Sequence, residues 1–402
     1  MYLKSITINN YRSIQKARVD FEDGLNIIIG KNGAGKSNLL KYIYEYVSSD
    51  LETLIDKIQN NKVEFEYCFC FDDDESIVEF TVNIKTERII FNNGVNFHYQ
   101  GLISKKVNEY YTYADKYFDL PVPYYPKRRT ENDEYLISEF DKLRRLRKKF
   151  VAFEIPDNKD WLSNAVKYQL DTMCYLESDN INNGFSLLQV LQEGIMVVNF
   201  QTVANKEQSI VELDDRTVRN VFLQSFTNLK EKFDLDNILK KYSPITELRL
   251  NPNINTYHAD NKILIENLII EFRVNNSWVP WGYLSDGTKR LFYIITETLC
   301  LEDGLLLIEE PELGIHPHQL FSLMQFLKEQ SAHKQIILST HSPMVLDVLS
   351  PIELDRINIA KLTPTGSAFS RLTDEQKEKA RQYIEEVGEL SQYWLHSDLE
   401  DE

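Results

Sequence analysis

The sequence predicts an α/β fold, a mixed sheet with an antiparallel β subdomain, interrupted by a helical insertion. Three observations predict it. A glycine-rich phosphate-loop pattern, Gly30–Ser37, follows the apolar run Leu25–Ile29. Strand-like and helix-like stretches alternate from 246 onward, the pattern of a sheet with crossover helices. Between these parts, 101–245 loses the strand pattern and gains long amphipathic stretches.

Leu3–Ile8, Ala17–Phe21 and Leu25–Ile29 alternate or are wholly apolar and predict three strands. A helix is expected from Lys36 to about Val47. Lys62–Phe71, Ser76–Ile84, Glu87–Phe91 and Val95–Tyr99 are rich in Val, Ile, Phe and Tyr. Turn residues at Asp72-Asp73-Asp74 and Asn92-Asn93-Gly94 make them an antiparallel meander, so the three aspartates read as a turn rather than a metal site. In the middle, periodicity predicts helices near 131–150, 157–178, 184–200 and 211–241. Strands return at Ile245–Leu250, Ile263–Val274, Gly304–Ile308, Gln335–Leu338 and Arg356–Leu362. Helices intervene or follow near 287–301, 316–330, 342–349 and 373–386. The expected organisation is therefore a first lobe over 1–100, a helical insertion over 101–245 and a second lobe over 246–402.

Composition narrows the function. The 402 residues are 43% hydrophobic and 12% aromatic, enough for sizeable cores in two or three lobes. A net charge of −17 disfavours generic nucleic-acid binding, which needs a local excess of Lys and Arg. The basic run Arg144-Arg145-Leu146-Arg147-Lys148-Lys149 follows Glu131, Asp133, Glu134, Glu139 and Asp141 on one predicted helix. Acid at the start and base at the end is what the helix dipole favours, so the run reads as a solvated helix end or a partner contact before a nucleic-acid site. The four cysteines form no CxxC pair, and Cys68 and Cys70 share one packed strand face. No apolar run is long enough to span a bilayer and the N-terminus has no signal-peptide core, so a reducing cytoplasm is expected and a membrane partner is not.

Four motifs carry chemistry. Gly30-Lys31-Asn32-Gly33-Ala34-Gly35-Lys36-Ser37-Asn38 contains a complete G-x-x-x-x-G-K-[ST] pattern in strand–loop–helix context. Its glycines let backbone N–H groups curl around phosphate, Lys36 reaches the β- and γ-phosphates of ATP, and Ser37 ligates Mg²⁺. Leu305–Ile308 is an apolar strand ending in Glu309 and Glu310. Glu309 is the expected metal ligand, directly or through water, and Glu310 the carboxylate that polarises the attacking water. Leu284-Ser285-Asp286-Gly287-Thr288 opens a helix; Ser285 and Gly287 suit a second anion site, and a plain N-cap is the competing reading. Gln335–Thr340 is a strand delivering His341, a candidate γ-phosphate sensor.

In this order the motifs resemble the Walker A, signature, Walker B and switch-histidine elements of ABC-class ATPases. Glu309-Glu310-Pro311-Glu312-Leu313-Gly314-Ile315-His316-Pro317, together with Asn10-Tyr11-Arg12-Ser13 and Gly24-Leu25-Asn26, resembles the RecF/OLD branch of that class. The resemblance covers about 1–100 and 246–362 and leaves the insertion unassigned. It implies an ABC-type nucleotide-binding domain, catalytic Lys36, Glu310 and His341, and a homodimer sharing two ATP sites. The signature Leu-Ser-Asp-Gly-Thr departs from the transporter form and argues against a transporter subunit. Glu309 stands where Asp is commoner; the residues do not place the usual Q-loop glutamine, for which Gln100 at the end of the meander is a candidate. About 60 residues follow His341, too few for the nuclease domain of OLD proteins, and 101–245 is too short for SMC arms. The resemblance therefore implies a regulatory ATPase like those of Septu-, retron- and PARIS-type bacterial defence systems, gating a separate effector such as a nuclease. The alternative is a RecF-like DNA repair ATPase. The tyrosines Tyr110, Tyr111, Tyr113, Tyr117, Tyr124 and Tyr125 make the insertion the expected docking surface for the effector, with packing against its own lobe as the competing reading.

Overall fold

The computed structural model describes residues 2–44, 305–397, most of 223–300, and strand segments between 64 and 198. The chain forms two compact units. The first comprises 1–154, 301–312 and 327–402, and the second 155–300 and 313–326.

The first unit holds two sheets. β1 (Tyr2–Tyr11) and β2 (Ile14–Asp20) form a hairpin, with Tyr11 opposite Ile14. β3 (Leu25–Ile29) leads through the glycine loop into α1 (Lys36–Tyr42). β4 (Glu64–Asp73), β5 (Ser76–Phe91), β6 (Gly94–Val107), β7 (Tyr110–Tyr111) and β8 (Lys116–Pro121) extend β1 into an antiparallel sheet of order β2-β1-β4-β5-β6-β7, with β8 also on β6. β9 (Phe150–Phe153) belongs to the other sheet.

The second unit contains β10 (Ile195–Val198), α2 (Leu235–Tyr242), β11 (Ile245–Leu250), β12 (Asn255–Ala259), β13 (Lys262–Glu266), β14 (Ile270–Val274), β15 (Ser277–Pro280) and α3 (Asp286–Cys300). Two three-stranded sheets result, β10-β13-β12 and β11-β14-β15. Phe272, Trp281 and Phe292 pack with ring centroids 5.1–5.8 Å apart and fasten β14 to α3.

The remaining elements are β16 (Leu305–Glu309), α4 (Pro317–Gln330), β17 (Gln335–Thr340), β18 (Ile357–Thr363), β19 (Gly366–Arg371), α5 (Asp374–Glu386) and α6 (Leu390–His396). The first unit's second sheet runs β19-β18-β3-β17-β16-β9; all neighbours are parallel except the β18–β19 hairpin. Every residue of β3 and β17 is buried, as expected of strands covered on both faces. Each large aliphatic so buried contributes roughly 1.5–3 kcal/mol of transfer free energy. Gln335 ties the two sheets together. Its Oε1 accepts from the Leu3 N–H (2.8 Å), and its Nε2 donates to the carbonyls of Leu3 (2.9 Å) and Glu22 (3.0 Å).

Several sequence expectations change. The helix expected over 184–200 contains a strand, Ile195–Val198, which pairs with β13. A run of four apolar residues is ambiguous in period, and a waiting sheet edge decides it. Likewise Phe150–Phe153 begins at the end of the helix expected over 131–150, yet it is a strand parallel to β16. Ile263–Val274 is two strands in different sheets, broken around Asn267, whose φ of 59° lies in the left-handed region. Conversely, Ser76–Ile84 and Glu87–Phe91 fuse into β5. The helix near 342–349 is a 3-10 turn, Pro343–Val348. Most of the helices expected at 157–178 and 211–241, the basic run and Tyr113, Tyr124 and Tyr125 lie outside the described residues.

β18 is entered through a second 3-10 turn, Pro351–Arg356, and an ion cluster holds it. Burial works against the Glu353 carboxylate, but the Lys328 ammonium and the Ser350 hydroxyl and N–H outweigh it and lower its pKa to about 2. Because the folded-state value lies below the ordinary 4.5, this stabilisation is present above that pH and is lost as pH falls toward about 2. Glu353→Gln should lower stability near neutrality by about 1.5–3 kcal/mol. Urea unfolding should show the gap to wild type closing across that acidic window.

Candidate functional site

The glycine loop is shaped by close backbone contacts. A Cβ on Gly30 would collide with the Ala360 carbonyl on β18, and one on Gly35 with the Ser367 side chain on β19. Gly33 and Gly35 have φ of 81° and 98°, where a side chain is strained. Behind the loop, Ser13 in the β1–β2 turn accepts hydrogen bonds from Asn38 Nδ2 (2.7 Å) and Ser367 Oγ (2.7 Å), and its carbonyl accepts from the Ser367 N–H (2.8 Å). Arg12 Nη1 reaches Asn38 Oδ1 at 3.4 Å. The Asn10–Ser13 segment thus braces the start of α1. Lys36 is 5% exposed, and its Nζ donates to the carbonyls of Gly30 (2.6 Å) and Lys31 (3.1 Å). The ammonium therefore lies folded over the loop, while Lys31, Asn32 and Gly33 are exposed at its rim.

The same sheet edge carries the other groups. Glu309 pairs with Ser339, and Ile29 pairs with Thr340. Gly30, Glu310 and His341 therefore leave three adjacent parallel strands at one end. Glu310 has φ 44°, uncommon for a non-glycine residue, and its N–H donates to the Ser339 carbonyl (2.8 Å). His341 is 42% exposed, with Nδ1 at 3.2 Å from Glu312 Oε1 and 3.6 Å from Glu310 Oε1. Ser339 Oγ, in register with Glu309, is buried and has no hydrogen-bond partner among the described residues.

Ser285 and Gly287 lie in the second unit. The Ser285 Oγ accepts from the Thr288 N–H (3.2 Å) and exchanges a hydrogen bond with its hydroxyl (2.8 Å), which makes Ser285 the N-cap of α3. A Cβ on Gly287 would strike the Gly314 carbonyl, so only glycine lets the helix start approach that loop. Gln100 lies on β6, paired with Lys85.

Metal and nucleotide fit these donors. Ser37 hydroxyl and the Glu309 and Glu310 carboxylates are hard oxygen groups of the kind Mg²⁺ takes. Among the described residues no three His, Cys, Asp or Glu side chains cluster as ligands. An ion held by one hydroxyl, one carboxylate and phosphates needs no such cluster. Two contributions have no sequence signal: Ala360 and Ser367, whose hairpin closes over the loop. Glu312, between the Glu-Glu pair and Pro317, contacts His341 and Thr340. Among the described residues no helix is long and apolar enough to cross a membrane.

A family model described as an AAA ATPase domain matches residues 1–346. A "DNA replication and repair protein RecF" of Caldanaerobacter subterraneus is 25% identical, over 79% of this chain and 85% of that protein. A "Retron Vc95 probable ATPase" of Vibrio cholerae is 23% identical, over 92% of this chain and 77% of that protein. An Smc head domain with an extended coiled coil from Pyrococcus furiosus aligns with 16% identity and a TM-score of 0.47, covering 96% of this chain and 100% of that one.

The loop geometry has a direct test. Gly35→Ala combines a left-handed φ with the Ser367 clash, and should cost about 1–3 kcal/mol. A thermal-unfolding shift of that sign, larger than for Gly33→Ala, is the expected result, because no atom of the described residues lies near a Cβ on Gly33.

Proposed function

This chain belongs to the AAA ATPase domain family, and from that premise we propose that it binds ATP with Mg²⁺ on Gly30–Asn38 and hydrolyses it. One observation carries the reading: a buried lysine over a glycine loop, a Glu-Glu strand end and a histidine strand end share one edge of a parallel sheet. Open α/β sheets bind ligands at the carboxyl ends of their strands.

Each residue then has a task. The loop N–H groups and the α1 N-terminus hold phosphate oxygens, and Lys36 exchanges its carbonyl partners for the β- and γ-phosphates. Ser37 and Glu309 hold the metal. Bound Mg²⁺ supplies charge neutralisation at the phosphates. Glu310 orients a water and takes its proton. His341 contacts the γ-phosphate side and registers its loss. The Ser285–Gly287 helix start completes the site of a second chain, giving a two-fold dimer with two shared sites.

The biological reading is a regulatory ATPase of a bacterial defence system that gates a separate effector, with 101–245 as the docking region. It is supported by the likeness to the retron ATPase along 92% of this chain. The likeness to RecF proteins favours a second reading, DNA binding on dimer closure. Co-purification with the product of the adjacent gene favours the first, and salt-dependent DNA binding by the purified chain favours the second.

Lys36→Ala should reduce phosphate release by roughly 100-fold or more, since it removes the loop's charged phosphate ligand. Wild-type turnover in this variant would sink the assignment. Glu310→Gln should keep ATP binding and lose at least about 100-fold in turnover, a split that equilibrium binding and phosphate release measure on one preparation.

A further inference from the structure

We propose that Glu312 is a positioning residue that fixes the tautomer and place of His341. The proposal rests on the reading above in giving His341 a task, but its geometry stands alone.

Glu312 lies two residues beyond Glu310, and its side chain is 8% exposed. One oxygen accepts two hydrogen bonds and lies close to a ring nitrogen. Thr340 Oγ1 donates to Oε1 at 2.6 Å, the His341 N–H at 3.0 Å, and His341 Nδ1 stands at 3.2 Å. An ionised carboxylate only accepts, so a ring nitrogen facing it carries the proton. Nδ1 is therefore the protonated atom and Nε2 remains to meet a ligand. Among the described residues the titratable groups that face this imidazole are Glu312 and, at 3.6 Å, Glu310. The backbone bond has a second effect. Gripping the His341 N–H and the Thr340 hydroxyl together, Glu312 pins the end of β17 beside the segment that follows β16. The strand end that carries the histidine and the one that carries Glu310 are thus coupled through one side chain.

Among the described residues the buried Oε2 of Glu312 has no hydrogen-bond partner. Both of its hydrogen bonds fall on the oxygen that faces the histidine. An ordinary structural carboxylate in this protein, Glu353, uses both oxygens.

The test uses the full chain labelled with ring-¹⁵N histidine, with His341→Gln to assign the resonance. Wild type should show His341 protonated on Nδ1 above the imidazole titration. Glu312→Ala should shift the ring toward the Nε2–H form that free imidazole favours. It should also lower kcat by about 10–100-fold, the range for removing the partner that orients a ligand. ATP affinity and KM should stay within about twofold, because the loop is untouched. A purely structural role would move stability and leave the tautomer as it is. Wild-type His341 protonated on Nε2, or a tautomer unchanged in Glu312→Ala, overturns the proposal, as does unchanged kcat in an active enzyme. Should Glu312→Ala fail to fold, Glu312→Gln carries the test. Loss of charge alone must lower the Nδ1–H population, and wild-type values of tautomer and kcat overturn the proposal. If the wild-type chain hydrolyses no ATP, the functional reading falls, and the tautomer measurement still decides Glu312.

Discussion

The hydrogen-bond register of three parallel strands is the constraint on which the candidate site depends. β3, β17 and β16 are adjacent, with Ile29 level with Thr340 and Ser339 level with Glu309. A slip of one residue in any of them would turn every side chain to the opposite face. It would also carry the glycine loop, the Glu-Glu pair or His341 out of line with the other two. The register is strongly specified because the strands are buried on both faces, and because Gln335 pins the start of β17 to Leu3 and Glu22. One buried amide thereby links the position of the antiparallel sheet to that of the histidine at the far end of the same strand.

Around that edge the chain concentrates strained or sterically exclusive backbone. Gly30 sits against Ala360, Gly35 against Ser367, and Glu310 adopts a left-handed φ without being glycine. Such conformations persist only where surrounding structure over-determines them. Here the surroundings are identifiable. The β18–β19 hairpin closes on the loop, Ser13 joins that hairpin to Asn38, and the Ser339 carbonyl holds the Glu310 N–H. Preorganisation of this kind suits a site that stabilises developing charge, since fixed dipoles need no rearrangement during the reaction.

The elements that locate the chemistry were legible from residue order. The phosphate loop follows an apolar strand, the acid pair ends another, and His341 ends a third, and each strand formed where its apolar run lay. The short segments were not legible. Ile195–Val198 and Phe150–Phe153 are too brief to show a period, and the strand partners that select their conformation lie more than sixty residues away in sequence. The break around Asn267 was hidden for a related reason: an apolar run says nothing of the sheet to which each half belongs.

By itself, then, the sequence determined which residues are candidates to touch phosphate and metal, because glycine spacing, a lysine and a serine at a helix start, and acids after an apolar strand are local requirements of that chemistry. Only the tertiary structure decided what holds those residues still. Ser13, Ala360, Ser367 and Glu312 act through neighbours that are remote in the chain or drawn together by strand pairing. Composition and spacing do not encode which side chain a folded strand end will meet. That separation has a physical origin: ligand contacts depend on local backbone geometry, whereas positioning contacts depend on packing, which exists only once the sheet has closed.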